Sequence, residues 1–339
     1  MHSFNKTPYY NNNRELPGLQ FLKFICAILV VQLHSYSFLW SGLVPICRIA
    51  VPVFFFISGY FMVSAEGTIS EKKIISTAKK ILRITIIANL AYIAYDFLMY
   101  LKFHEELNDY SNPDYWICIF VYGYSGMHHL WYLTAYLQIL LLIYILLKLN
   151  IFKIFLPLMP FCILLNLLQG SYSYILFDSG SPFINLEMDA VTLGIPCVAI
   201  GILLRIYEHL FPSQKVILGC LIVAIPLLYL EHVINHDYTG DLLIMTIPVA
   251  ILTFIYFLRY NPVSWLPKLI ATLGKHQSLN IYLWHMMMAG IYVYIEYHLG
   301  IDHSVESFAV ILLTVAVSII FNPISLPERC LKLVRKITA

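Results

Sequence analysis

The stretch Leu19-Gln-Phe-Leu-Lys23-Phe-Ile-Cys-Ala-Ile-Leu-Val-Val-Gln32-Leu-His34-Ser35-Tyr-Ser-Phe-Leu-Trp40 is long and apolar enough for a first membrane helix. It nevertheless carries Lys23 near its start and His34 well inside. An imidazole at membrane depth costs free energy unless it is paired or faces a watery cavity, so it is a functional candidate by default. The competing reading is a packing histidine bonded to a neighbouring helix. Beside Gln32 and Ser35 the functional reading is preferred. Imidazole titrates close to neutrality, so it can take a proton from a hydroxyl and release it again.

The rest of the chain supports a membrane setting. Of 339 residues, 60% are hydrophobic and only 12% charged, against about 25% charged in an ordinary soluble domain. Mean hydropathy is +0.76. One water-facing globule cannot bury that much apolar surface. The expected fold is an all-α integral membrane protein with about ten transmembrane helices, because runs this long are helical rather than barrel strands. The spans are expected at about 19–39, 49–63, 82–101, 115–125 continuing into 129–147, 153–169, 188–206, 216–233, 242–258, 277–296 and 306–323. Gly123, Ser125 and Gly126 interrupt the fourth, and interrupted helices at membrane depth line cavities. A net charge of +2 gives no nucleic-acid footprint. Seven scattered cysteines without a Cys-x-x-Cys pair support neither a zinc site nor a disulfide framework, and no metal is expected.

Basic residues set the orientation. With the N-terminus in the cytoplasm, all of the 21 Lys and Arg except Arg48 and Lys102 fall inside. Both termini are then cytoplasmic. The expected layout is a tail over 1–16, one membrane domain over 17–324 and a basic tail over 325–339. The acidic residues Glu105, Glu106, Asp109, Asp114, Asp237 and Asp241 fall outside. His104 and Asp109 match a soluble acyltransferase pattern by chance. P-loop, dinucleotide-binding, zincin and nucleophile-elbow motifs are absent from the sequence.

Other polar residues lie in apolar country. His285 follows Ser278 by seven residues on one helix face, either as helix–helix glue or as part of a site. His129 precedes Leu130-Trp131-Tyr132 after the glycine break, as an aromatic-belt residue or a cavity-lining one. Ser58-Gly59 lets a helix or a ligand approach the backbone. Arg48 reads equally as a snorkelling charge or as an anchor for an external anion. Asp96, with Asn89 nearby, could orient an imidazole. Lys79, Lys80 and Arg83 satisfy the positive-inside rule alone, or dock an anionic ligand.

Together these stretches resemble the membrane acyltransferase-3 family of bacterial envelope O-acyltransferases. Gln20-x-x-Lys23 with His34 beyond it is similar to the family's first helix, usually Asp-x-x-Arg ahead of a histidine. Phe54-Phe55-Phe56-Ile57-Ser58-Gly59-Tyr60 resembles its Phe-Phe-x-x-Ser-Gly-Phe signature. Lys80-x-x-Arg83 stands for its Arg-x-x-Arg. Leu273-Gly274-x-x-x-Ser278-Leu-x-Ile-Tyr-Leu-x-His285 and His129-Leu-Trp-Tyr-Leu133 also match. The match runs from about Pro17 to Phe321. Gln20, Lys23 and Lys80 depart from the pattern, and lysine offers a point charge where arginine offers a fork.

The resemblance implies a ten-helix domain in the bacterial cytoplasmic membrane. It implies transfer of an acyl group, most often acetyl, from cytoplasmic acyl-CoA to a sugar hydroxyl of an envelope glycan or its lipid-linked precursor. On this reading His34, His285 and His129 are catalytic, and Lys23, Lys80 and Arg83 hold the coenzyme. Arg48, Ser58, Trp131 and Asp96 are substrate-binding candidates. The chain stops soon after its last span, so no appended hydrolase-like domain is expected. The alternative is a transporter of an envelope glycan or small polar solute without chemistry. The sequence sets no oligomeric state.

Overall fold

The computed structural model describes residues 15–35, 40–103, 108–122, 128–173, 190–235, 242–300 and 306–322. The N-terminal tail to Arg14, the glycine break at 123–126, His104, Glu105, Glu106, Asp237, Asp241 and the basic tail 325–339 lie outside the described residues.

Among the described residues the structure is all helical, apart from one isolated bridge between Val63 and Ile69. The helices are α1 (Pro17–Leu33), α2 (Trp40–Cys47), α3 (Ala50–Met62), α4 (Glu71–Phe103), α5 (Pro113–Ile117) and α6 (Trp131–Lys148). They continue with α7 (Leu158–Gln169), α8 (Ile195–Ile206), α9 (Gln214–Ile234), α10 (Thr246–Leu258), α11 (Trp265–Leu299) and α12 (Glu306–Phe321). Two π-helical turns, Cys118–Tyr122 and Ala190–Gly194, accompany α5 and α8.

Four stretches are long and apolar enough to cross a membrane among the described residues: Gly42–Met62, Glu71–Lys102, Trp131–Lys148 and Gln214–Ile234. Shorter apolar helices include Pro17–Leu33, Ala190–Ile206, Thr246–Leu258 and Glu306–Phe321.

Several boundaries differ from the sequence expectation. α1 ends at Leu33, so His34 is its C-terminal cap rather than a residue deep in a span. Pro17 opens that helix, where a missing N–H costs nothing. α4 begins at Glu71 rather than near 82, so Lys72, Lys73, Lys79 and Lys80, expected in the loop ahead of that span, are helical, and Arg83 lies well inside the helix rather than at its start. Its 33 residues extend about 50 Å, well beyond a hydrocarbon core of about 30 Å. Glu71 in its first turn and Lys102 in its last both complement the helix dipole. α11 likewise runs 35 residues, and Gly300 ends it at φ 62°. Arg48 sits in the turn joining α2 to α3, just ahead of α3 as expected.

The chain forms two compact units within the expected membrane domain. One comprises Glu15–Ser41 and Phe257–Ala339, and its described helices are α1, α11 and α12. Here α1 and α11 run parallel: Gln20 lies beside Gly274, and His34 beside His285. A Cβ on Gly274 would stand 1.8 Å from the Gln20 carbonyl oxygen, so only glycine admits this crossing. α12 runs antiparallel to both, with Ser307 against Gln32 and Asn322 against Gln277.

The other unit comprises Met1–Arg14 and Gly42–Tyr256. α3 and α8 cross through paired glycines. A Cβ on Gly59 would stand 2.2 Å from the Val198 carbonyl oxygen, and one on Gly201 2.2 Å from that of Phe56. Thus the small pair Ser58-Gly59 admits a helix. α4 and α6 are antiparallel, fixed by Lys148 to Glu71 at 2.8 Å near one end and by Tyr92 against His129 toward the other. α4 and α9 leave broad apolar faces exposed, including Leu82, Ile86, Leu90, Ile222 and Val223.

Candidate functional site

The unit built from α1, α11 and α12 joins the two histidines that the sequence places far apart. The His34 and His285 ring centroids are 5.2 Å apart, with the rings tilted by 40°. His34 is exposed at the end of α1, while His285 is fully buried in α11. His285 Nδ1 lies 2.8 Å from the Tyr282 carbonyl oxygen. A carbonyl only accepts, so Nδ1 carries the proton, and in the neutral ring Nε2 keeps the lone pair. The tautomer and the ring plane of His285 are thereby set by its own helix.

Hydrogen bonds support the pair from behind. Gln32 Nε2 donates to Ser307 Oγ at 3.2 Å, and Ser307 Oγ donates to the Ser35 carbonyl at 3.3 Å. Ser35 Oγ donates to Val31 O at 2.6 Å. The two Ser307 bonds tie the end of α1, which carries His34, to the first turn of α12, and the Ser35 hydroxyl closes that end on itself. Lys23 lies half-buried on the same helix, eleven residues before His34, which is roughly 16 Å at the helical rise.

The remaining candidates belong to the other unit. His129 is 2% exposed and sits edge-on to Tyr92, with centroids 5.1 Å apart. Trp131 opens α6 and packs obliquely on Phe55 at 6.3 Å. Ser58 Oγ donates to Phe54 O at 2.9 Å and lies 3.5 Å from the Tyr132 hydroxyl. Lys80 and Arg83 are exposed and three residues apart on α4, hence neighbours on its surface. Arg48 is half-buried at the α2–α3 turn.

Asp96 is engaged differently from the expectation. Its carboxylate accepts from Asn108 Nδ2 at 3.0 Å and from the Tyr110 hydroxyl. These contacts hold the loop after α4 against the helix and involve no imidazole. Burial and the Asp96 carboxylate together push the Tyr110 phenol above its ordinary value.

Sequence reasoning missed the Tyr282 carbonyl, the Gln32–Ser307 bond and the seam beside His129. Spacing on one strand of sequence carries no sign of which residue of another helix stands opposite.

Four helical stretches long and apolar enough to cross a membrane among the described residues mark a helical membrane protein. The chain belongs to the acyltransferase family whose domain model, described as an acyltransferase domain, matches residues 16–322. This agrees with the resemblance drawn from the motifs. No curated protein and no solved structure matches the chain.

Proposed function

We propose that this acyltransferase moves an acyl group, in the first instance acetyl, from cytoplasmic acyl-CoA to a hydroxyl of an envelope glycan or its lipid-linked precursor. The observation that carries the reading is the His34–His285 contact. An exposed imidazole backed by a buried, tautomer-fixed one suits a general base.

In this mechanism His34 takes the proton of the acceptor hydroxyl as its oxygen attacks the thioester carbonyl. The tetrahedral adduct collapses, the C–S bond breaks, and the leaving thiolate takes the proton back from His34. His285 keeps the His34 ring in place, held by its own bond to Tyr282. Acyl-CoA is a substrate here. Lys23, Lys80 and Arg83 supply cations for its phosphates, as point charges except at Arg83. The separation of Lys23 from His34 along α1 suits a donor whose phosphates stay at the membrane face while its thioester reaches inward. The same reading takes the chain through the bacterial cytoplasmic membrane about ten times, with both termini in the cytoplasm.

The test is His34→Ala beside His34→Gln in purified protein, after confirming membrane level and melting temperature. Thiol release from acetyl-CoA and glycan acetylation by mass spectrometry are followed. Both variants are expected to lose on the order of 10²- to 10⁴-fold in turnover. Turnover near wild type removes His34 as the base. Solute transport by the wild-type protein without thioester cleavage favours the transporter.

A further inference from the structure

α4 carries one unbroken exposed stripe. Lys72, Ser76, Lys79 and Arg83 follow one another at steps of four, three and four residues, and all four are exposed. The same period continues through Ile86, Leu90, Phe97 and Leu101, again all exposed. Such steps keep residues on one face of a helix. The buried positions Ile74, Ala88 and Tyr92 lie on the other side, where Tyr92 meets His129. The exposed stripe is thus polar and basic for about its first three turns and apolar beyond them. The change falls at Arg83.

The length of the apolar part matches a bilayer. From Arg83 to Lys102, both exposed, the helix rises about 28 Å, against a hydrocarbon core of about 30 Å. Arg83 therefore stands at one boundary of the apolar layer, on the face of α4 that meets lipid. Lys79, with Lys80 beside it, stands about 6 Å further out, within a headgroup layer of about 5–8 Å. Lys72 stands about 16 Å out, beyond that layer. Among the described residues Lys72, Lys79, Lys80 and Arg83 join no ion pair. The carboxylate at this end of α4, Glu71, is held by Lys148 at 2.8 Å. Exposure to lipid does not by itself call for so many cations. α9 is apolar and nearly as exposed, yet Lys215 is its single Lys or Arg.

We propose that this face of α4 is a binding surface for anionic phospholipid headgroups in the leaflet at its N-terminal end. Arg83 offers its planar fork to a lipid phosphate from the edge of the hydrocarbon, and Lys79 and Lys80 add point charges one turn out. Their aliphatic stems lie along the apolar layer. Basic turns directly outside a membrane helix attract acidic lipids in this way. The leaflet is the cytoplasmic one on the orientation set by the basic residues. Depth grades the contributions. Lys72 lies further out than a Debye length of about 8 Å at physiological salt, so its charge is largely screened from the headgroups. The coenzyme reading above draws Lys80 and Arg83 from the same turns. Lys79, which that reading does not use, separates the two sources of phosphate.

The test titrates the full-length protein in mixed micelles with phosphatidylglycerol and, separately, with phosphatidylcholine at physiological ionic strength. Native mass spectrometry reads the affinity for each lipid. The expected result is a preference for phosphatidylglycerol that weakens about fivefold in Lys79→Gln and less than about twofold in Lys72→Gln. Lys215→Gln leaves it unchanged, and Lys79→Arg retains it. Equal affinity for the two lipids overturns the surface. So does an equal loss in Lys72→Gln and Lys79→Gln, which reports diffuse charge rather than contact with headgroups. Coenzyme A is the soluble arm of the experiment. If its affinity falls as far as that of phosphatidylglycerol in Lys79→Gln, these turns hold a soluble phosphate and the lipid surface is overturned. Coenzyme A binding that ignores Lys79 while phosphatidylglycerol binding depends on it sustains the proposal.

Discussion

Two buried histidines in this molecule live in different surroundings. His285 is bonded to a backbone carbonyl of its own helix and faces a second imidazole, His34, across a helix crossing. His129 meets the Tyr92 phenol ring edge-on just ahead of α6. The first setting fixes a tautomer and places a titrating ring at the end of a helix. The second packs the ring edge-on against an aromatic neighbour. The same side chain is thus bonded to its own backbone in one unit and packed on an aromatic edge in the other. The difference comes from the partner, not from burial, because both rings are almost wholly buried.

His285→Phe is expected to break this contrast most strongly. It keeps the ring volume and removes both nitrogens, so kcat should fall on the order of 10²-fold. Acceptor and donor KM should stay close to wild type. Steady-state kinetics on protein of unchanged melting temperature checks this, and an unaltered kcat makes His285 a packing residue like any other. His129→Phe sharpens the contrast from the other side. It preserves the edge-on packing with Tyr92, so kcat should remain within about twofold while acceptor KM rises about threefold to tenfold. A collapse of kcat instead would move His129 into the chemistry. Ser307→Ala has the smallest expected effect. It removes the bond from Gln32 and the one to Ser35, lowering stability by about 1 kcal/mol in chemical or thermal unfolding. Turnover should drop only a few-fold, because the pair is held chiefly by the α1–α11 crossing.

Orders of effect follow from what each side chain touches. The glycines at the crossings bear on whether the units form at all, since any Cβ at Gly59, Gly201 or Gly274 would collide with a backbone carbonyl. The histidines bear on what the formed units do.

Much of this was legible along the chain. The apolar runs marked where helices lie, and the motif order from Gln20 to His285 pointed to the family that matches residues 16–322. His34 and His285 stood out because a titratable ring in an apolar run is costly. Helix ends were less legible. Charge alone does not separate a loop from an exposed helix: Lys72, Lys73, Lys79 and Lys80 lie in α4, which Glu71 and Lys102 complement at its two ends. The sequence leaves an imidazole as one possible partner of Asp96, whereas its carboxylate accepts from Asn108 and Tyr110, twelve and fourteen residues further on.

The sequence alone determined the solvent this protein lives in, its helical class and its family, because those follow from summed hydropathy and from local spacing. Only the tertiary structure decided that His34 caps a helix rather than sitting within it, that it meets His285, and that His129 packs on Tyr92. Those facts depend on which helix faces are pressed together. That is settled by backbone approach at Gly59, Gly201 and Gly274 and by bonds between distant segments; a small pair such as Ser58-Gly59 marks where a helix can approach but not which one.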